Sequence, residues 1–254
     1  MPTLLPEPAT AARLQVGLRP GDTAFLADWC DMIFLHYQVP PAVLAPLLPL
    51  PLDLHHGSAW VSLVYFSQNR LRPPGTGPMG RIAFRPVSDH PFLNVRTYVR
   101  HRGVEGIYFL AEWIPHRLNC WLGPRTYGLP YRLGSMEAEV TGPTGVGRVT
   151  VCEAGTDAKL SLSWPVQPAP LAECLPGSLD AFLLERYTAH TGRHGILRRF
   201  DVAHAPWQVR RLDWVRGQTG LLEENFPWFA AAQLVCGHAT PGFTDVRMGF
   251  PHRC

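Results

Sequence analysis

Lysine is almost absent from this chain of 254 residues, which has Lys159 as its single lysine beside 22 arginines. Any reaction that needs a primary amine as nucleophile must therefore use Lys159 or the N-terminus. The formal net charge is only +3, and the basic residues form no run. Because nucleic-acid binding normally requires a concentrated basic patch, we do not expect a nucleic-acid partner.

Long apolar runs are missing as well. No stretch approaches the roughly 18 to 20 apolar residues of a membrane-spanning helix. The first 20 residues contain four prolines and lack the basic start and apolar stretch of a secretory signal. The six cysteines are scattered and form no C-x-x-C pair, a usage typical of reduced thiols. We therefore expect a cytoplasmic protein without a membrane partner, with residues 1–20 as an extended N-terminal arm.

Familiar catalytic and metal-binding motifs do not occur. The chain has no H-E-x-x-H motif, no G-x-S-x-G elbow and no G-x-x-x-x-G-K-[ST] phosphate loop. Of eleven histidines, only His190 and His194 have a spacing that ligands on a helix use, and Gly192 indicates that the helix has already ended. Isolated histidines are poor metal ligands. We therefore expect neither a metal site nor a cofactor.

The residues that are present favour strands. The 26 prolines and 23 glycines divide the chain into short segments, and 46% of the residues are hydrophobic, enough for one large core. Alternation with period two predicts nine strands, and they cover Asp31–Gln38, Trp60–Phe66, Leu93–Val99, Ile107–Trp113, Tyr131–Val140, Arg148–Cys152, Lys159–Trp164, Gln208–Val215 and Val246–Phe250. We predict a single β-rich domain over residues 1–254.

Helices are few and short in this prediction. Three are expected, over Pro41–Leu48, Pro115–Leu122 and Leu179–His190. The first begins with proline in its first turn, the second is closed by Gly123, and the third has Ser178 as N-cap. Two stretches rich in glycine and proline, Arg70–Gly80 and Thr141–Gly147, are predicted to be loops.

One predicted strand, Leu93–Val99, carries polar groups at alternate positions. Alternation puts the amide of Asn94, the guanidinium of Arg96 and the phenol of Tyr98 on one face. If that face meets water, the strand is an ordinary half-buried one. If the face lines the inside of a barrel, the three groups form a preorganised acceptor for a carboxylate or carbonyl. The sequence leaves both interpretations open.

Two turns carry further candidate groups. The glycine- and proline-containing turn from Tyr127 to Tyr131 and Arg132 either places phenols at the mouth of a cavity or fills the core with aromatic rings. His204 and Trp207 lie in a loop before a predicted strand. A histidine with an ordinary pKa near 6.5 suits proton transfer, and a structural role is the alternative.

Three longer stretches carry a combined pattern. They are HYQVPPAVLAPLLPLPLDL at His36–Leu54, FLNVRTYVRHRGVEGIYFL at Phe92–Leu110 and FLLERYTAHTGRHGILRRFDVAHAPW at Phe182–Trp207. Together they resemble the YqjF-like bacterial proteins, a family of unknown function that is similar to the acetoacetate decarboxylases. The resemblance implies a mainly β (α+β) fold: a cone-shaped antiparallel β-barrel with an internal cavity, extra strands and a few short helices.

The resemblance also implies that the decarboxylase chemistry is missing. The decarboxylases form a Schiff base on the first of two adjacent lysines, where this chain has Tyr131 followed by Arg132. Their arginine ahead of the first helix corresponds to Gln38, and their acidic residue falls near Asn94 or Val95. Neither a phenol nor a guanidinium can form an iminium with a carbonyl.

Lys159 is not expected to replace that amine. It shares a strand face with Ser161 and Ser163, opposite an apolar face, which is typical of a solvent-exposed residue. We therefore do not expect an active Schiff-base decarboxylase.

The leading hypothesis is a cofactor-free domain that binds a small molecule and acts on a carbonyl or carboxylic acid without a Schiff base. Tyr131 and His36 are the candidate catalytic residues, and the candidate ligand-binding residues are Asn94, Arg96, Tyr98, Tyr127 and Arg132. The alternatives are a non-catalytic ligand sensor that has lost the chemistry and a structural protein whose own tyrosines fill the cavity. A titratable pair in the pocket favours an enzyme, and a purely aromatic pocket favours a sensor.

Overall fold

A computed structural model describes residues 18, 20–140, 145–166 and 170–254, so the predicted N-terminal arm lies almost entirely outside the described residues. The strands are β1 (Thr23–Val39), β2 (Ala59–Arg72), β3 (His90–His101), β4 (Val104–Ile114), β5 (Tyr131–Glu139), β6 (Val146–Glu153), β7 (Lys159–Pro165), β8 (Ala172–Glu173), β9 (Thr188–Arg193), β10 (Ile196–Ala203), β11 (Gln208–Arg211), β12 (Arg216–Gln218), β13 (Gln233–Gly249) and β14 (His252–Arg253). The α-helices are α1 (Pro41–Leu44), α2 (Gly77–Ser88), α3 (Arg117–Thr126), α4 (Leu179–Leu184) and α5 (Gly220–Asn225). Short 3-10 helices cover Pro20–Asp22, Ala45–Leu47 and Pro227–Ala231. None of the helices in the described residues is long and apolar enough to cross a membrane.

Seven of the strands form a closed ring. Going round it, β4, β3, β2, β1, β13, β10 and β9 each pair with the next, and β9 pairs again with β4. Six of these contacts are antiparallel, and the closing contact between β9 and β4 is parallel. The predicted β-rich fold with an enclosed interior is confirmed, but the pairing of β9 with β4 makes the ring depart from the expected antiparallel barrel.

A smaller sheet continues from the ring. The first residues of β5 pair in parallel with the end of β4, and β6, β7 and β12 follow in antiparallel order. Side chains of this sheet pack against the outer face of the ring strands. They form one apolar core, which includes Leu35, Leu63, Val95, Val151, Leu160 and Trp164.

A second core fills much of the ring interior. Alternation along β1 sends Ile33 and Leu35 to the outer apolar core and Met32 and Phe34 to the ring interior. Strand β3 behaves in the same way, so the face with its polar residues looks into the ring. Of the two interpretations of that face, the fold therefore has the one in which it lines the interior. Closing a sheet into a ring buries one face of every strand.

The strand predictions agree well with the structure, whereas the helix predictions need correction. All nine predicted strands fall on observed ones, although β11 covers only the first half of Gln208–Val215. The predicted loop Arg70–Gly80 is wrong at both ends, since β2 runs to Arg72 and α2 begins at Gly77. In the predicted loop Thr141–Gly147, residues 141–144 lie outside the described residues and β6 already begins at Val146.

Two predicted helix ends are also wrong. The helix that begins at Leu179 ends at Leu184, and the segment predicted to continue it to His190 forms β9, which closes the ring. Helix α3 runs through Gly123 to Thr126 instead of ending there. A Cβ on Gly123 would lie 2.2 Å from the ring of Tyr131, so this glycine allows the tyrosine ring to pack against the helix.

Candidate ligand cavity inside the strand ring

The ring encloses a cavity of about 90 Å³, large enough for on the order of six non-hydrogen atoms. Most of its wall is aromatic or aliphatic. Among the described residues, several polar side chains also line it: Gln68, Asn94, Arg96, Glu112, Tyr131, Arg186, Tyr187, Thr188 and His204. A concave, mainly apolar space with a few convergent polar groups is typical of small-molecule sites.

Strand register brings three of these polar groups into one row. Tyr131 on β5 pairs with Glu112 on β4, and Glu112 pairs with Asn94 on β3. Side chains of directly paired residues lie on the same face of the sheet, about 5 Å apart. The phenol, the carboxyl group and the amide therefore converge on the cavity.

Glu112 faces the cavity because β4 contains a β-bulge. The register of β4 against β3 shifts between the partners of Val95 and Arg96, which makes Leu110 the extra residue. An extra residue reverses the inside and outside faces beyond it. Phe109 and Glu112 both line the cavity as a result, although strict alternation puts them on opposite faces. This is why alternation in the sequence did not identify Glu112.

Arg96 is a buried cation with an open hydrogen-bonding edge. Its side chain is hydrogen-bonded to Tyr98, and its guanidinium carbon lies 5.6 Å from the ring centroid of Phe34. The residue is only 9% exposed, and its Nε and Nη2 atoms have no hydrogen-bond partner among the described residues. Burial lowers the pKa of Arg96, but a guanidinium stays charged at neutral pH. Nε–H and Nη2–H form the fork that a carboxylate can accept with both oxygens.

Glu112 is another ionisable group in the cavity wall. It is 4% exposed, and burial raises its pKa to about 8, although the positive charge of Arg96 acts in the opposite direction. Near pH 7 the side chain is therefore mainly a neutral carboxylic acid that can donate a proton to a carbonyl oxygen. Within residues 20–140, 145–166 and 170–254, no group is hydrogen-bonded to the Oε2 atom of Glu112 or to the Oδ1 atom of Asn94.

His204 supplies a neutral imidazole to the same wall. Its Nδ1–H donates to the carbonyl oxygen of Ala205 at 2.7 Å, which leaves Nε2 as a hydrogen-bond acceptor. Burial lowers the pKa of His204 to about 4. The ring packs between Phe243 and Trp207 at centroid distances of 4.6 and 4.7 Å, so its orientation is held by aromatic contacts.

His36 lies behind the cavity, in a buried chain of hydrogen bonds. The hydroxyl of Tyr98 donates to the carbonyl oxygen of Leu183 at 2.9 Å and is also hydrogen-bonded to Ser62. Because a carbonyl can only accept, Ser62 donates to Tyr98 and accepts from Nδ1–H of His36 at 2.6 Å. Nε2 of His36 then accepts from His238 at 3.1 Å.

These hydrogen bonds hold the phenol of Tyr98, which contacts Arg96. His36 therefore acts on the site through other residues. Burial, and the neighbouring His238, lower the pKa of His36 well below its usual value. The imidazole of His36 is therefore neutral. It does not line the cavity, and its role in proton transfer stays a prediction.

The series of hydrogen bonds ends, on the side away from the cavity, in a polar cluster that the sequence did not predict. Nε2 of His238 lies 3.2 Å from Oδ1 of Asp180, and Arg211 donates to the same oxygen at 2.8 Å. The sulfur of Cys236 completes a group whose ligand atoms lie within 4.8 Å of one another. Contacts with His238 and Arg211 hold the pKa of Asp180 well below its usual range. The sequence signal that could have identified this cluster is the pair Cys236 and His238, which lie two residues apart on β13 and so share one face of the strand.

Besides His36, three predicted site residues lie outside the inner cavity. Tyr98 is fully buried beside Arg96 but does not line the cavity. Tyr127 lines a neighbouring apolar pocket, and its hydroxyl donates to the carbonyl oxygen of Gly249 at 3.0 Å. Arg132 points away from the ring and contacts Glu153 at 3.2 Å. Adjacent residues of a strand face opposite sides, so Tyr131 and Arg132 cannot both reach the cavity.

Lys159 lies on the outer sheet. It is exposed at the start of β7, while the next residue, Leu160, is buried in the apolar core. The exposure predicted from alternation is confirmed, and no amine of this side chain reaches the ring interior.

Sequence comparison identifies relatives over most of the chain. The family model DUF2071, described as an uncharacterized conserved protein, matches residues 26–239. The uncharacterized protein YqjF of Bacillus subtilis (strain 168) is 33% identical over 189 residues, which cover 73% of this chain and 74% of YqjF.

Comparison with solved structures identifies the fold. An acetoacetate decarboxylase-like enzyme from Sphingomonas wittichii RW1 matches with a TM-score of 0.59 and 14% identity, covering 92% of this chain and 94% of that one. The acetoacetate decarboxylase of Legionella pneumophila subsp. pneumophila str. Philadelphia 1 matches with a TM-score of 0.60 and 11% identity, covering 91% and 87%. The enduracididine biosynthesis enzyme MppR complexed with pyruvate matches with a TM-score of 0.61 and 13% identity, covering 94% of this chain and 92% of that one. These similarities confirm the acetoacetate decarboxylase-like fold.

Proposed function

The chain belongs to the DUF2071 family of uncharacterized conserved proteins, and from that premise we propose that it binds a small 2-oxo acid in the ring cavity and transfers a proton on it without a Schiff base. The guanidinium edge of Arg96, which no described residue pairs and which lies in the mainly apolar cavity of the strand ring, carries this proposal. A buried charge without a partner is costly. A bound carboxylate supplies the partner, in the geometry that the Nε–Nη2 fork accepts.

The remaining polar groups fit the rest of such a ligand. With the carboxylate on Arg96, the neutral acid of Glu112 donates its proton to the ketone oxygen. The electron pair of a neighbouring C–H bond forms the new C=C bond, and its proton passes to Nε2 of His204. The product is the enol, and the reverse steps regenerate the oxo acid. Asn94 offers Oδ1 as a further acceptor in the same wall.

The raised pKa of Glu112 favours this reaction over the sensor alternative. A sensor needs the anion-binding edge of Arg96 but no group that exchanges protons near neutral pH. Tyr131 is a weaker candidate for the base, because burial and the nearby Glu112 raise its pKa well above the usual value. A fold relative, MppR, has been solved in complex with pyruvate, and this supports a 2-oxo acid as ligand.

Two measurements test the proposal together. Isothermal titration with pyruvate and 2-oxobutyrate measures binding, and proton NMR in D2O measures exchange of the hydrogens next to the ketone. We expect Arg96→Met to weaken binding at least 30-fold, because it removes both donors of the fork. Loss of hydrogen bonds to a charged group costs about 2 kcal/mol of binding free energy, which corresponds to this factor. Arg148→Met, on the exposed surface of β6, is the matched control and should bind like the wild type.

Glu112→Gln separates binding from chemistry. We expect it to bind 2-oxobutyrate within about threefold of the wild type and to lose the exchange, because an amide cannot supply the proton. Equal binding by Arg96→Met and Arg148→Met would contradict the proposed site. Binding without exchange in the wild type would reduce the function to that of a sensor.

A further inference from the structure

A second pocket, which we call the vestibule, adjoins the ring cavity. Its volume is about 490 Å³, several times that of the cavity. Six residues line both spaces: Gln68, Phe92, Leu129, Tyr131, Phe200 and Met248. The two spaces therefore share one wall, and the ring of Tyr131 stands between them.

The vestibule has an aromatic and aliphatic wall. Helix α2 contributes Phe84, helix α3 contributes Leu122, and Phe25 comes from β1. The rings of Phe25 and Phe84 lie 5.6 Å apart, so they form a continuous surface. Phe250, which is 52% exposed, extends the wall to the protein surface. A molecule in the cavity can therefore extend outward along apolar side chains.

Three of the polar side chains that line the vestibule are hydrogen-bonded within the protein. Asn119 donates to the carbonyl oxygen of Val87 at 3.1 Å. The hydroxyl of Thr126 donates to the carbonyl oxygen of Leu122 at 3.0 Å, and the hydroxyl of Tyr127 has its acceptor on the backbone of β13. Within the described part of the chain, no charged side chain lines this pocket. Burying a charged group here would cost free energy, because none of the described lining residues carries an opposite charge.

We propose that the ligand is a 2-oxo acid with an apolar alkyl or aryl chain, whose acid end lies in the ring cavity and whose chain occupies the vestibule. This inference rests on the proposed function and adds the substrate class to it. The cavity holds only the oxo-acid group, so any further carbon atoms must pass Tyr131 into the vestibule. The substrate is then recognised by charge at one end and by apolar area at the other.

A series of ligands tests the chain. Isothermal titration of the full-length wild type with pyruvate, 2-oxohexanoate and 2-oxooctanoate measures the effect of length, and 2-oxoglutarate provides a chain that ends in a charge. Full burial of one methylene corresponds to a three- to fourfold gain in affinity. We expect 2-oxooctanoate to bind about tenfold more tightly than 2-oxohexanoate, and 2-oxoglutarate to bind no more tightly than pyruvate.

Two substitutions on α3 locate the effect. Thr126 is exposed and lines the vestibule, so Thr126→Trp places an indole in it. Arg125→Trp, at the neighbouring exposed position outside the vestibule, is the matched control. We expect Thr126→Trp to remove the gain from chain length and to leave pyruvate binding within about twofold of the wild type. Arg125→Trp should retain both.

The outcomes separate this inference from the proposed function. If pyruvate binds and depends on Arg96 while chain length has no effect, the vestibule serves another occupant and only the substrate class is overturned. Equal gains for 2-oxohexanoate and 2-oxoglutarate, or a gain from chain length that survives Thr126→Trp, overturn it as well. If no oxo acid binds, the proposed function and the inference fail together.

Discussion

The two faces of β3 have the same backbone and opposite environments. Val95 lies in the outer apolar core, where its neighbours are other hydrocarbon groups. The next residue, Arg96, lies in the ring interior, and two of its guanidinium nitrogens have no hydrogen-bond partner in the part of the chain that the structure describes. Side chains in the outer core satisfy one another by packing, whereas Arg96 and Glu112 each keep polar atoms that no described residue pairs by hydrogen bonding. This difference indicates that the outer core serves stability and that the ring interior is arranged for a ligand.

The largest expected effect concerns the charge state of Glu112 in the ring interior. Below about pH 4 the carboxyl group is protonated in both folded and unfolded chains and has no effect on stability. Between pH 4.5 and about 8 the unfolded chain releases this proton and the folded protein keeps it, so the free energy of unfolding falls as the pH rises. Glu112→Gln removes this loss and should be more stable than the wild type by about 3 kcal/mol at pH 7.

Urea denaturation at pH 4.5, 6, 7 and 8 measures this difference. Glu137→Gln, at an exposed position of β5, is the control and should follow the wild type at each pH. The gap between Glu112→Gln and the wild type should open with rising pH and level off above pH 8. A constant gap would mean that Glu112 is ionised in the folded protein.

Neighbouring substitutions on β3 sharpen the contrast between the two faces. Val95→Ala should lower the free energy of unfolding by about 2 kcal/mol, because it leaves a cavity in the apolar core, and should not change ligand binding. Arg96→Met should raise the free energy of unfolding by about 1 kcal/mol, since it removes an unpaired buried charge, and should weaken pyruvate binding at least 30-fold. If Arg96→Met destabilises the protein as Val95→Ala does, the guanidinium is structural. Urea denaturation and pyruvate titration of both variants provide the comparison.

The smallest expected effect is none at all. Treatment with borohydride and acetoacetate should leave the protein mass unchanged, because the single lysine is exposed on the outer sheet and no lysine side chain lines the ring cavity. Intact-mass spectrometry reads the result, and an acetoacetate decarboxylase treated in parallel confirms that trapping works. A reduced adduct on Lys159 would show that amine chemistry occurs outside the ring.

Local pattern in the sequence was sufficient for the strands and for one face of the site. Alternation in β3 identified Asn94 and Arg96 as neighbours, and it identified Lys159 as exposed. It failed at Glu112, because the bulge at Leu110 reverses the faces of β4. It failed again after Leu184, where ring closure turns a helix-like pattern into β9. The spacing of apolar residues over a short segment predicts neither the bulge nor the ring closure, because both depend on pairing with other strands.

The sequence by itself determined the β-rich class, the family resemblance and the lack of a reactive lysine, since these depend on residue type and on period-two alternation. Only the tertiary structure decided that the polar face of β3 looks inward, that Glu112 joins it, and that Arg132 and His36 stay outside the cavity. The reason is physical: alternation divides a strand into two faces, but which face is enclosed depends on strands distant in the chain. The pKa of Glu112 is raised by the same enclosure.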